Sequence, residues 1–137
     1  MTIWRTLLLI AISTSAWPAQ ASETQCAAAS DMSYICEIVN AEDLVLIPGS
    51  EWLLASGYSP GGAVYAINSE SNATIQSYNP SRANHNARAF PGCSKPPAAA
   101  TFIAHGLNIR RAQSGRSTLY VVGHGGREAI EVFDVDS

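Results

Sequence analysis

Apolar positions along this chain come in short runs of about five residues, each closed by turn-forming residues. Asp43-Leu44-Val45-Leu46-Ile47 ends at Pro48-Gly49, and Trp52-Leu53-Leu54-Ala55-Ser56 ends at Gly57. Ala63-Val64-Tyr65-Ala66-Ile67 ends at Asn68-Ser69, and Thr74-Ile75-Gln76-Ser77-Tyr78 ends at Asn79-Pro80. Four such runs with turn signals between them predict one four-stranded antiparallel sheet. Residues 80–101 break the rhythm, with Pro91-Gly92 and Pro96-Pro97 marking a long loop. The strand pattern resumes at Phe102 to Ile109, Leu119 to Val122 and Ile130 to Phe133. Beyond the N-terminal segment no stretch carries a helical period, so the expected class is all-β.

The two strand-rich halves can be laid over each other. Trp52 to Gly57 matches Leu119 to His124, and Val64 to Ile67 matches Glu131 to Asp134, both at an offset of 67 residues. A small antiparallel sheet that repeats predicts a β-propeller, whose blades recur every ~40–50 residues; the long loop would supply the excess. A small β-sandwich is the other architecture that this pattern allows. In a propeller, loops entering the first strand of a blade and loops leaving its second strand open on one face. That geometry would gather Glu42, Asp43, His105 and His124 near the central channel.

The N-terminus reads as an export signal. Arg5 is followed by the apolar stretch from Thr6 to Trp17, and Ala19-Gln20-Ala21 forms an A-x-A cleavage site before Ser22. About a dozen apolar residues fall short of the roughly 20 that a spanning helix needs. The expected organisation is a signal peptide (1–21), a small polar linker (22–33) and a β-domain (34–137), giving an exported protein, periplasmic or secreted. Within that domain the first blade is placed at about 41–79, the long loop at 80–101 and the next blade from 102 onward. A retained membrane anchor is the competing interpretation of the first segment.

Composition narrows the function. Of the 137 residues 14% are charged and 47% apolar, and the net charge is −3. No basic stripe is available to neutralise a run of phosphates, which sets nucleic acid aside. Cys26, Cys36 and Cys93 are odd in number, so at least one is unpaired or has its partner outside this chain. Export makes disulfides plausible, and the pairing among the three stays open. No CxxC spacing supports zinc.

Gly57-Tyr58-Ser59-Pro60-Gly61 matches the G-x-S-x-G nucleophile elbow but is read as a hairpin turn. An elbow needs a following helix, and Pro60 has no N–H to donate into an oxyanion hole. Glu42-Asp43 is an adjacent acidic pair whose side chains point to opposite sides of a strand. It can serve two hard cations, which want oxygen ligands, or simply be a solvated strand entry. His105 and His124 are each flanked by glycine, which permits close approach of a ligand; an imidazole can act as a general base. His85, in a polar loop, is assigned no role. Asn72-Ala73-Thr74 is a glycosylation sequon.

These residues resemble the paraoxonase kind of calcium-dependent arylesterase and lactonase, within the wider group of gluconolactonase and strictosidine-synthase-like propellers. The resemblance rests on Phe102-Ile103-Ala104-His105-Gly106-Leu107, on Leu119 to Glu128 with its Val122-Gly123-His124 end, and on Ile130-Glu131-Val132-Phe133. Cys36 followed by Glu42-Asp43-Leu44 resembles the family's start. The resemblance implies an incomplete six-bladed β-propeller, about the first two blades, with calcium as cofactor and a small lactone or ester as substrate. Glu42 would then ligate the catalytic calcium, and Asp43 with the Leu107 carbonyl would ligate the structural one. His105 would be the base, with His124 as its support, and Cys36 would bond to a cysteine near the family's C-terminus. Gly123 replaces the family's usual asparagine, which leads one to expect a looser loop there. The remaining calcium ligands and blades have no counterpart in this stretch. The expectation is the N-terminal portion of an exported hydrolase, inactive in isolation, whose partners include the missing blades. The alternatives are a non-catalytic remnant or a module that binds another chain through its β-edge, and, last, a self-contained small ligand-binding β-protein.

Overall fold

The computed structural model describes residues 30–78, 82–111 and 115–136. The predicted signal peptide, its cleavage site, Cys26 and most of the predicted linker lie outside the described residues. The chain divides into a unit ending at Ser33 and a second unit, Tyr34–Ser137. Of the first, only Ser30–Ser33 are described, with Ser30 in a turn at a φ of 58°. Everything below concerns the second unit.

Among the described residues seven strands form two antiparallel sheets, and there is no α-helix. The first sheet holds β1 (Ala41–Leu46), β2 (Trp52–Gly57), β3 (Val64–Asn68) and β4 (Thr74–Gln76) in simple order. The second holds β5 (Ile103–Arg111), β6 (Ser117–His124) and β7 (Ala129–Val135). The all-β expectation and the run-by-run placement of strands therefore hold.

Two Pro-Gly turns explain the first hairpins. In Ile47-Pro48-Gly49-Ser50 the Ser50 N–H donates to the Ile47 carbonyl, and in Ser59-Pro60-Gly61-Gly62 the Gly62 N–H donates to the Ser59 carbonyl. Gly49 and Gly61 have φ of 84° and 73°, the left-handed third position of a type II turn after proline. The second of these turns is the G-x-S-x-G sequence. It leads into β3 and not into a helix, so Ser59 is a turn residue.

The sheets pack face to face. Leu54 and Val64 from the first meet Phe102, Ala104, Leu107, Leu119 and Val121 from the second, with Ile47 joining them. Phe102 and Val121 are essentially sealed from solvent, and each apolar side chain so buried stabilises the fold by about 1.5–3 kcal/mol. The long loop makes no strand among its described residues and is tied down at its end: the Tyr78 hydroxyl donates to the Pro97 carbonyl at 2.8 Å, and Arg127 donates to the Lys95 carbonyl at 2.9 Å. Tyr78 also packs edge-on against Phe102 and Phe133.

The hairpin registers correct the repeat. In the first sheet Ala41 faces Gly57 and Leu44 faces Ala55; in the second Ala104 faces Gly123 and Leu107 faces Val121. Each first strand thus sets two residues, 42–43 or 105–106, against one on its partner, Ser56 or Val122, a β-bulge. Gly57 corresponds to Gly123 and Ala55 to Val121, an offset of 66 and not 67. Val64 then corresponds to Ile130, because Ser56 faces Val64 as Val122 faces Ile130. The offset of 67 matched side chains by kind, but a slip of one residue exchanges the two faces of a strand.

Candidate active site

Both bulges lie at the same end of the sheet pair, and they re-aim the side chains at positions 42–43 and 105–106. Glu42 and His105 face each other there, with the His105 Nε2 3.4 Å from the Glu42 Oε1. The other ring nitrogen of His105, Nδ1, lies 3.3 Å from the Nε2 of His124, which ends β6. The Nδ1 of His124 in turn lies 2.5 Å from the Glu128 Oε2. The four side chains form one row of polar contacts, Glu42, His105, His124, Glu128, hydrogen-bonded from His105 to Glu128 and closed at the other end by the ion-pair contact of Glu42. It runs along a partly open surface: the imidazoles are about one-third exposed, and Glu128 is mostly exposed.

Asp43 does something different. Its Oδ2 accepts the Leu107 N–H at 2.7 Å and its Oδ1 accepts the Leu44 N–H at 2.8 Å. Its own N–H donates to the hydroxyl of the fully buried Ser56 at 3.1 Å. Asp43 therefore stitches the bulge of the first sheet to the bulge of the second. Adjacent acids on a strand do part ways here, one to the histidines and one to the backbone.

Calcium can be tested against this donor set. The ion takes about six to eight oxygens. Glu42 and Asp43 offer the right kind of atom, but Asp43 has both oxygens on backbone N–H groups and Glu42 faces an imidazole. Among the described residues no three His, Cys, Asp or Glu side chains converge as a metal-holding group. Glu42, Asp43 and Leu107 do not by themselves fit calcium.

Two members of the site lie outside the residues expected from sequence. Tyr58, directly after β2, lays its ring over His105 with centroids 4.6 Å apart, and turns an edge to His124 at 6.2 Å. Glu128 reaches His124 across Gly125 and Gly126, whose φ of 73° and 81° fold the chain back. The only hint of either was position: Tyr58 follows the strand that precedes the turn, and Glu128 lies four residues past His124.

The surroundings are closely packed. Gly123 sits within β6, not in a loose loop, and a Cβ there would stand 3.0 Å from the Phe102 ring and 3.1 Å from the Glu131 Cγ. Asparagine has no room at this place, and the expectation of a looser loop is overturned. Arg127 binds Glu131 with two bonds of 2.6 Å, Nε to Oε1 and Nη2 to Oε2. That chelation comes first among the influences raising the Arg127 guanidinium above its ordinary value. An apolar cleft of about 450 Å³ between the sheets, lined in part by Trp52, Leu54, Tyr78 and Phe133, contains none of the row's side chains. Cys36 is disulfide-bonded, and Cys93 is a free thiol. His85 is half-buried in the long loop, far along the chain from the row, with its Nε2 lacking a protein partner.

Compared with protein-family models, with curated proteins and with solved structures, the chain finds no match in any of the three.

Proposed function

We propose that the chain is the N-terminal portion of an exported hydrolase of the arylesterase and lactonase type, built on a β-propeller, with His105 as its general base. The observation that carries this reading is the row in which His105 stands between Glu42 and His124. A base needs a lone pair facing substrate, a partner behind it and a counter-charge for the proton it gains. His105 has all three: Nε2 toward the open side, His124 behind, Glu42 alongside. A water placed at Nε2 gives its proton to the imidazole while its oxygen bonds to the acyl carbon. The proton then reaches the leaving oxygen as the carbon–oxygen bond breaks. Tyr58, its ring tilted by 37° against that of His105, forms a wall suited to an aryl or lactone ring.

The propeller part of the reading is supported by what the repeat leaves uncovered. Val64 is 3% exposed where the second sheet covers it, whereas its counterpart Ile130 is 58% exposed. Leu107 is 9% exposed at the internal interface, whereas its counterpart Leu44 is 57% exposed. Both outer faces of the pair carry apolar residues at places that are buried between the sheets. Further sheets of the same kind fit there. Calcium enters by resemblance alone: both Asp43 oxygens are taken by backbone N–H groups and Glu42 faces His105, so an ion's ligands would have to come chiefly from such sheets. The same uncovered faces favour a second reading, a non-catalytic module that docks on another β-chain.

Reading the genomic DNA past the codon for Ser137 is the first test. An in-frame or frameshifted continuation encoding more sheets is expected, and the restored protein should hydrolyse phenyl acetate or a simple lactone. There His105→Gln should lower kcat/KM by about 10²–10⁴-fold, whereas the 137-residue chain alone should show negligible turnover. A clean stop followed by unrelated sequence would remove the catalytic claim, as would full activity in the His105→Gln protein.

A further inference from the structure

Taking His105 as the base, as above, we infer that Glu128 is a positioning residue that sets the proton arrangement of both histidines. A carboxylate can only accept, so the short contact between Glu128 Oε2 and His124 Nδ1 requires the proton to sit on Nδ1. The neutral His124 ring then has its lone pair on Nε2, the atom that faces His105 Nδ1 at 3.3 Å. That lone pair needs a donor, and His105 Nδ1 makes a hydrogen bond to it, whereas the competing contact of His105 Nε2 with the Glu42 carboxylate, 3.4 Å, is an ion-pair distance without a hydrogen bond; the proton of His105 is therefore placed on Nδ1. The lone pair of His105 is left on Nε2, the nitrogen beside Glu42 on the open side. One carboxylate at the far end thereby decides which nitrogen of His105 is basic, two rings away. No atom of Glu128 need approach the substrate.

The turn that carries Glu128 is built to hold it. A Cβ on Gly125 would stand 2.0 Å from the Thr101 carbonyl oxygen, so only glycine lets the chain pass there. On the other side Arg127 is anchored twice, to the Glu131 carboxylate and to the Lys95 carbonyl. Glu131 is nearly buried in β7. The turn is thus fixed before and after by neighbours that have no part in proton transfer, and Glu128 projects from it onto His124.

Long-range ¹H–¹⁵N correlation spectra of the full 137-residue chain, at about pH 8 where histidine is ordinarily neutral, test this without any substrate. In the wild type, Nδ1 of His105 and of His124 should both be of the protonated, pyrrole type, and both Nε2 of the pyridine type. Glu128→Ala should reverse His124 to Nε2–H, and His105 with it, since the two rings share one bond. Glu128→Gln, whose amide oxygen still accepts, should keep the wild-type pattern. Glu128 is mostly exposed, and the amide spectrum shows directly whether each variant is folded. An Nε2–H form of His124 in the wild type, or an unchanged pattern in folded Glu128→Ala, overturns the assignment. Neither result depends on turnover, so the hydrolase reading stands or falls separately.

Discussion

Glu42 and His105 occupy corresponding positions in the two sheets, and their side chains meet at 3.4 Å. Each is the residue after the alanine that opens the bulge, Ala41 in β1 and Ala104 in β5. A bulge adds a residue to one strand and turns its side chains away from the regular alternation. Here the same irregularity, used twice, brings an acid and an imidazole from different sheets into one row. The site is a product of the repeat, and its two halves need no contact along the chain.

Asp43 is the covalently adjacent test of that arrangement. Its carboxylate accepts two backbone N–H groups, one from each sheet. Asp43→Ala leaves both donors unpaired and should cost about 1–3 kcal/mol. Asp43→Asn keeps one acceptor and should cost roughly half as much. Urea unfolding should show a lower midpoint with an unchanged slope. An Asp43→Ala chain as stable as the wild type would mean that the stitch between the bulges carries no load.

Much of this fold was legible because its strands are short and its turns chemically explicit. Pro48-Gly49 and Pro60-Gly61 fix two turns of known geometry, so β1, β2 and β3 could be bounded from composition alone. The convergence of Glu42, His105 and His124 was legible through the repeat, although the repeat was placed one residue off. Side-chain kind matches Trp52 to Leu119, whereas backbone pairing matches Leu53 to Leu119, and nothing in a single sequence displays the register. Tyr58 and Glu128 were not legible. Each reaches the histidines through a turn whose direction depends on backbone angles, as at Gly125 and Gly126.

Gly123 tests how tightly the row is backed. The space that a methyl group would need is held by the Phe102 ring and the Glu131 side chain, both in the buried interior. Gly123→Ala overpacks that interior and should cost about 1–3 kcal/mol. For a domain of this size that corresponds to roughly 4–8 °C in Tm per kcal/mol. Gly123→Asn, the residue that the resemblance leads one to expect here, should cost more. A thermal scan in which Asn is tolerated would show that β6 has more freedom than this packing allows.

Tyr78 gives the fold an alkaline limit. Burial first, and the Glu131 carboxylate second, push its phenol above the ordinary tyrosine value, against an opposing pull from Arg127. The folded chain therefore holds the phenolic proton more tightly than the unfolded chain does. That contribution to stability is complete below about pH 10, the unfolded value, and is lost as the pH rises through the folded one. Tyr78→Phe cannot ionise, so its stability should fall less steeply above pH 10. At neutral pH it should be about 1 kcal/mol less stable, having lost the bond to Pro97. Unfolding followed from pH 8 to 11 separates the two effects, and parallel curves for both proteins would refute the first.

Arg127 joins stability to the site. Its partner Glu131 has a side chain only 9% exposed, so removing the guanidinium leaves a carboxylate inside the fold without a counter-charge. Breaking such a pair from one side is far costlier than removing both members, because the cost lies in the stranded charge. Arg127→Ala should lower stability by about 3 kcal/mol, and adding Glu131→Gln should recover part of that loss. Arg127→Lys retains the charge but cannot make both bonds to the carboxylate, and should fall between. Arg127 also anchors the turn to the long loop through Lys95, which the double variant does not restore. Stability and site geometry should therefore separate in Arg127→Ala/Glu131→Gln: the fold regains strength while Glu128 stays loosely held. Denaturation midpoints report the first, and the His124 tautomer reports the second. If both recover together, the Lys95 bond is incidental and the Arg127–Glu131 pair alone shapes the turn.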